Sequence, residues 1–327
     1  MLSHWQRRTW LAWSLWPLSG LFAAVVAGRH LFYRHGGWVR PAPVPVVVVG
    51  NLTVGGSGKT PLVVYLVQRL RTSGYRPGIV SRGYGAACRV FPRQVHPGDD
   101  PRQVGDEPLL LAERCGCPVV IDPRRPRGVQ RLVDLGCSIV VADDGLQHYA
   151  LARDVAIVVV DGVRRFGNGF CLPAGPLREP LKALGEADLV VANGPGKPGE
   201  YAMALVGSKA LALGAEAPAP EASWPTRPLG PGWGEVHAVA GIGNPERFFH
   251  HLRRHGLAII PHPFPDHHPF RPLDLAFGDQ RPVLMTEKDA VKCRAFAGPL
   301  HWYVPVDAVL SRAFDAALAV RLSFTHR

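Results

Sequence analysis

Residues Val46–Pro61 read VVVVGNLTVGGSGKTP. Four consecutive valines leave a strand without a polar face, so it must be covered on both sides, as in a parallel sheet clothed by helices. The chain then passes through Gly55, Gly56, Ser57 and Gly58 into Lys59, Thr60 and Pro61. Beyond them Leu62, Val63, Leu66 and Leu70 follow helical spacing. Strand, glycine loop and helix in this register build an anion site, because backbone N–H groups at a helix start face outward with no partner of their own. The consensus GxxxxGK[ST] is met except at its first position, where Thr53 stands, although Gly50 lies just upstream. In such a loop Lys59 reaches the β- and γ-phosphates of ATP and the Thr60 hydroxyl ligates Mg²⁺. Pro61 falls in the first helical turn, where its missing N–H costs little.

A phosphate loop of this type works with a metal-holding acid at the end of a neighbouring strand. CSIVVADDGLQH supplies one, since the apolar run Ser138–Ala142 ends in Asp143 and Asp144. Adjacent carboxylates after a buried strand are costly unless a cation or hydrogen bonds compensate them. Asp161, closing Val155–Asp161, is a second, lesser candidate. Guanine specificity is unsupported, because Thr286-Glu287-Lys288-Asp289 has the wrong spacing for Asn-Lys-x-Asp. Val54 stands where partition and nitrogenase-type ATPases carry a lysine. Gly241-Ile242-Gly243 followed by Glu246 is only an incomplete dinucleotide fingerprint.

Buried-strand runs at Val44–Val49, Gly78–Ser81, Pro118–Asp122, Ser138–Asp143 and Val155–Asp161 alternate with helical stretches at Thr60–Ser73, Glu107–Arg114 and Pro126–Leu135. After Pro180 further strands are expected at Asp188–Ala192, Val236–Ala240, Ala258–Pro261 and Pro282–Met285. The pattern predicts an α/β chain: a P-loop NTPase-type parallel sheet domain, a second, smaller α/β domain and an apolar N-terminal helix. The expected boundaries are 1–36 for the helix, 37–190 for the P-loop core and 191–327 for the smaller domain. Gly214–Gly234, rich in Pro, Ala and Gly, reads as loop or linker. There is no internal repeat.

Thr9–Gly28 is a run of 20 residues without a charge, bounded by Arg7 and Arg8 before and Arg29, Arg34 and Arg40 after. Its length approaches that of a bilayer span. Trp10, Trp13, Trp16, Pro17 and Ser19 suit an interface better, so the helix is expected to lie on a membrane surface, with a single span as the less favoured alternative. A helix packed on the protein's own core is the alternative. The formal charge of +11 suits an anionic surface or substrate, although a GC-rich genome also favours arginine. The aromatic-basic interleaving of single-strand binders is absent, so no nucleic acid is expected. The six scattered cysteines form no zinc pattern and are read as reduced thiols.

Seven motifs then occur in order: GNLTVGGSGKTP, SRGYG (Ser81–Gly85), VGDEP (Val104–Pro108), ADDGLQH (Ala142–His148), GNG..LPAGPLREP (Gly167–Pro180), FPDHHPF (Phe264–Phe270) and TEKDAVK (Thr286–Lys292). Together they resemble the tetraacyldisaccharide 4'-kinase family, the lipid A 4'-kinases of Gram-negative bacteria, over almost the whole chain. The resemblance implies an ATP-dependent kinase acting on the 4'-hydroxyl of a lipid-linked glucosamine disaccharide at the cytoplasmic face of the inner membrane. It implies ATP and Mg²⁺, with Thr53, Gly55, Gly56, Ser57, Gly58, Lys59 and Thr60 around the phosphates. Asp143, Asp144 and Glu179 match acidic positions of the metal site. Asp106 matches the catalytic aspartate and His267 its histidine partner, with His268 as the neighbouring alternative.

Without the resemblance Asp106 reads as a helix N-cap before Glu107-Pro108. Arg124, Arg125 and Arg127 could grip the phosphate that the acceptor already carries, or form a solvated surface cluster. Two other readings share the phosphate loop: a soluble P-loop ATPase or switch, and a small-molecule kinase with a structural N-terminal helix.

Overall fold

The uncharged N-terminal run folds as two helices, α1 (Trp10–Ser14) and α2 (Trp16–His35). The structure, a computed structural model, describes residues 3–36, 38–213 and 225–324. Thr9 caps α1 by accepting from the Ala12 amide at 3.3 Å, and Pro17 sits in the first turn of α2. One face of α2 packs inward through Phe22 and Ala23. There Ser19, buried, donates its hydroxyl to Cys171 O at 2.6 Å and accepts from Ala174 N at 3.0 Å. The other face exposes Leu18, Leu21, Val25 and Phe32, spaced three, four and seven residues apart, with Trp10 of α1 81% exposed. Among the described residues no helix is long and apolar enough to cross a membrane.

The chain forms two compact units. The first opens with β1 (Val46–Gly50), α3 (Lys59–Thr72), β2 (Pro77–Ser81) and β3 (Arg93–Val95), while the short α4 (Pro101–Val104) is divided between the units. It continues through α5 (Asp106–Cys115), β4 (Val119–Ile121), α6 (Arg125–Asp134), β5 (Ile139–Asp143), β6 (Val155–Asp161), β7 (Leu189–Asn193) and β8 (Tyr201–Val206). The second unit holds β9 (Lys209–Ala212), β10 (Thr226–Pro228), β11 (Glu235–Ala240), α7 (Pro245–Arg254), β12 (Ala258–Pro263), β13 (Val283–Thr286), α8 (Glu287–Cys293) and β14 (His301–Val304). The chain then adds β15 (Asp307–Leu310) and α9 (Arg312–Ser323), and residues from 308 onward belong to the first unit.

In the first unit nine strands run in the order β15-β8-β7-β6-β1-β5-β2-β4-β3. The pairs from β8 to β4 are parallel and β3 closes the far edge antiparallel. The valines of β1 are buried on both faces, each contributing roughly 1.5 kcal/mol over exposure. Parallel pairing sets Val49 opposite Asp143. The loop after β1 and the acid closing β5 therefore leave the sheet at the same edge, the carboxyl ends where α/β sheets bind ligands.

The second sheet runs β10-β9-β14-β13-β11-β12. Phe248, Phe249 and Leu252 of α7 pack over it with Trp233, whose indole meets Trp302 edge-on at 5.2 Å between centroids. Two expectations change here. The boundary expected near 190 lies later, because β7 and β8 prolong the first sheet by parallel pairing (Val191 opposite Tyr201). The stretch 214–234 is not all linker. Residues 214–224 lie outside the described residues, while Thr226–Pro228 forms β10 and Trp233 is a core side chain.

Candidate active site

Side chains from three separate elements hold the phosphate loop. Asn51 Nδ2 donates to Gly55 O at 3.3 Å, Arg164 donates to Gly56 O at 2.7 Å and Asn193 Nδ2 donates to Ser57 O at 2.9 Å. Three successive carbonyls are thus tied back, which leaves the intervening N–H groups free to turn towards an anion. The loop is also stitched to the segment before Glu179, with Val54 N donating to Pro176 O at 2.8 Å and Arg178 N to Leu52 O at 2.7 Å. Thr53 bridges Leu177 antiparallel in that stitch, and an extended residue there has no need of glycine. Gly58, at φ 91°, precedes Lys59 at the start of α3, and a Cβ on it would overlap the Asn193 amide. The Ser57 hydroxyl is buried without a protein partner.

Lys59 Nζ lies 3.2 Å from Asn51 Oδ1 and 3.4 Å from Asp144 Oδ1. Thr60 follows as the second residue of α3. Arg178 forks onto both oxygens of Asp144, at 2.9 and 2.8 Å, and also donates to Asn51 O at 2.9 Å. Burial opposes the charge on Asp144, but the Arg178 fork and the Lys59 ammonium outweigh it and hold this carboxyl well below the usual range. Asp143 behaves in the opposite way. Burial, then the charges of Glu107 and Asp144, push it up to about 7 against the pull of Lys59 and Arg125. Ser81 Oγ reaches Asp143 Oδ2 at 3.4 Å, and its other oxygen is buried without a hydrogen bond.

Glu179 is buried and accepts a hydrogen bond from the Tyr149 hydroxyl. It faces a cavity lined by Leu52, Leu146, Val26 and His30. Asp161, the lesser acid, is already committed. It accepts from Val163 N and Arg164 N at 3.1 and 2.9 Å and from Arg164 Nε at 3.0 Å, so it serves as the base of the Arg164 clamp.

Asp106 is buried and is the first residue of α5, while Gly105 occupies the cap position. It is therefore not the N-cap, although its Oδ1 accepts from Glu107 N at 2.9 Å. The arginine cluster also differs from expectation. Arg125 is buried, donating to Asp143 O at 3.0 Å and Asp122 O at 3.2 Å, and burial lowers it to about 10. It braces the backbone under Asp143 and is not part of a solvated surface cluster. Arg127, exposed, pairs with Asp122 at 2.6 Å, and Arg124, also exposed, has no side-chain bond among these.

His267 belongs to the second unit. Its Nε2 lies 3.3 Å from Lys288 Nζ and 3.8 Å from Asp266 Oδ1. His268 is occupied otherwise: its Nε2 meets Asp274 Oδ2 at 3.1 Å and its ring packs between Phe264 and Phe270.

Comparison with known proteins follows the same lines. The sequence model of tetraacyldisaccharide-1-P 4'-kinase matches residues 11–323. The chain belongs to this kinase family. It is 52% identical to the tetraacyldisaccharide 4'-kinase of Nitrosococcus oceani over 97% of this chain and 92% of the relative. The corresponding enzyme of Alkalilimnicola ehrlichii is 50% identical over 99% and 98%. Among solved structures, LpxK from Aquifex aeolicus, crystallised in complex with ATP, superposes with a TM-score of 0.77 at 28% identity, covering 95% of this chain and 99% of that one.

Several residues of the candidate site have no signature in the sequence. Arg178 stands beside Glu179 in the LREP motif, and its fork onto Asp144 was foreseeable only as an arginine next to an acid. Asn51, Arg164, Asn193 and Tyr149 carry no local signal, because their partners are brought to them by the sheet.

Proposed function

We propose that the chain transfers the γ-phosphate of ATP to the 4'-hydroxyl of a tetraacyl glucosamine disaccharide 1-phosphate, giving a 1,4'-bisphosphorylated product. The observation that carries this is the clamped phosphate loop beside the Asp143–Asp144 pair in a chain of this family. The loop N–H groups and Lys59 would cradle the nucleotide phosphates. Lys59, already resting on Asn51 and Asp144, has only to turn its ammonium towards the phosphate.

The donor set fits magnesium, with Asp143 short of a hydrogen bond and crowded by negative charge. Among the described residues no three acidic, histidine or cysteine side chains converge as a metal cage. Magnesium, which keeps waters and takes only one or two carboxylates besides substrate phosphates, needs none. Asp143, Asp144 and the Thr60 hydroxyl would hold it, with Glu179 nearby in sequence to Arg178. When bound it would neutralise charge on the phosphate oxygens. Asp106 would accept the proton of the sugar hydroxyl, and His267 would tune that proton transfer. Arg124 is the residue of its cluster still available for the acceptor's phosphate.

The exposed apolar face of α1 and α2, flanked by Arg7, Arg8 and Arg34, supports a peripheral seat on the cytoplasmic face of the inner membrane. The test of the reaction is incubation with ATP and the acylated acceptor. New phosphate ester should form with wild-type protein and be lost in Lys59→Met. Turnover retained in Lys59→Met would remove the loop from the chemistry.

A further inference from the structure

The Thr286–Lys292 motif, TEKDAVK, is given no part by the phosphate chemistry, yet its side chains are tightly committed. Thr286 ends β13 and caps α8, accepting from Asp289 N at 3.2 Å and donating to Asp289 Oδ2 at 2.6 Å. Asp289, wholly buried, also accepts from Gly241 N at 2.8 Å, which pins the helix start to the end of β11. A side chain at 241 would come within 2.9 Å of Asp289 Oδ1, so the glycine permits this approach. Lys292 pairs with Asp289 at 2.8 Å and stands over the Phe270 ring at 4.9 Å. The motif thus grips the FPDHHPF loop at its far end, and Lys288 grips its middle.

Lys288 Nζ lies 3.2 Å from Asp266 Oδ1 and 3.3 Å from His267 Nε2. His267 itself has φ 61°, a left-handed conformation that a residue with a Cβ adopts only when its surroundings hold it. An ammonium has three donors and no acceptor. Facing one, His267 Nε2 must present its lone pair, and the ring proton must then sit on Nδ1. We propose that Lys288 is a positioning residue that fixes His267 in the Nδ1–H tautomer, with the TEKDAVK motif as the frame that keeps it there. The proposal rests on the reading of His267 as partner of Asp106. It deepens that reading by fixing which ring nitrogen of His267 carries the proton.

The tautomer can be read directly from ¹⁵N-histidine spectra of the full-length protein, with a His267→Gln difference spectrum for assignment. We expect a protonated Nδ1 and a bare Nε2 at neutral pH. Lys288→Met should mix the tautomers and lower kcat by about tenfold while KM for ATP stays within about twofold. Lys288→Arg, which keeps the cationic donor, should retain the tautomer and most of kcat. In a His267→Ala background Lys288→Met should cost nothing further. A protonated Nε2 in the wild type, an unchanged kcat in Lys288→Met, or an equal loss in the His267→Ala background would each overturn the proposal. Full activity of His267→Ala alone would instead overturn the catalytic reading of His267, and a positioning role for Lys288 with it.

Discussion

The side-chain amide of Asn193, at the end of β7, donates to the carbonyl of Ser57 at 2.9 Å and so fixes the phosphate loop just before Gly58. The loop's shape is therefore an outcome of the sheet as much as of its glycines. Asn193→Leu should leave the fold intact and weaken ATP binding about tenfold, the value of one well-placed hydrogen bond. Titration calorimetry with ATP checks this, and unchanged affinity would mean that the loop holds its shape unaided.

Asp143 makes the metal-free protein sensitive to pH. Its carboxyl is raised from 3.8 to about 7, so between those values the folded state binds the proton that the unfolded chain has released. Stability from this group is complete below pH 3.8 and is lost as pH rises through about 7. Asp143→Asn should therefore raise Tm by a few degrees at pH 8 without Mg²⁺, and hardly at all at pH 3.5, while abolishing transfer. Thermal denaturation at both pH values decides it. A variant less stable than wild type at pH 8 would show that Asp143 is already compensated within the protein.

Asp106 is buried at the start of α5 but not as its cap. Asp106→Asn keeps the bond to Glu107 N available and should lower kcat by roughly 10²–10⁴-fold, with little change in KM for ATP, as loss of a general base does. Steady-state kinetics separate the two. A loss confined to stability would return Asp106 to a structural role.

Leu21 and Val25 lie on the exposed face of α2, opposite the buried Ser19 that docks the helix. The double variant Leu21→Glu, Val25→Glu should keep the docked helix yet reduce binding to anionic vesicles about tenfold or more, because it removes the apolar face and repels the surface. Vesicle co-sedimentation measures this, and unaltered binding would place the membrane contact elsewhere.

What could be read in the sequence followed from contiguity. The valine strand, its glycine loop and the Asp143–Asp144 pair each lie within a short segment, because phosphate and metal chemistry needs those groups on one turn of backbone. The clamps on the loop were hidden because their residues stand 108 and 136 positions away, at Arg164 and Asn193. The burial of Arg125 is hidden for a related reason. An arginine after a turn looks solvated until the carbonyls of Asp122 and Asp143 are found waiting for it. The weaker strands were missed where the apolar alternation fails, as in β10, all of whose residues are exposed. The different surroundings of His267 and His268, one facing Lys288 and the other Asp274, are likewise invisible in a run of two histidines.

The most direct measurement compares two acceptors in the presence of ATP: the tetraacyl glucosamine disaccharide 1-phosphate and its 4'-deoxy analogue. The account predicts one added phosphate, at the 4'-oxygen, on the first and none on the second. Equal phosphorylation of the 4'-deoxy analogue, or ATP consumption with no phosphate on either lipid, would contradict it.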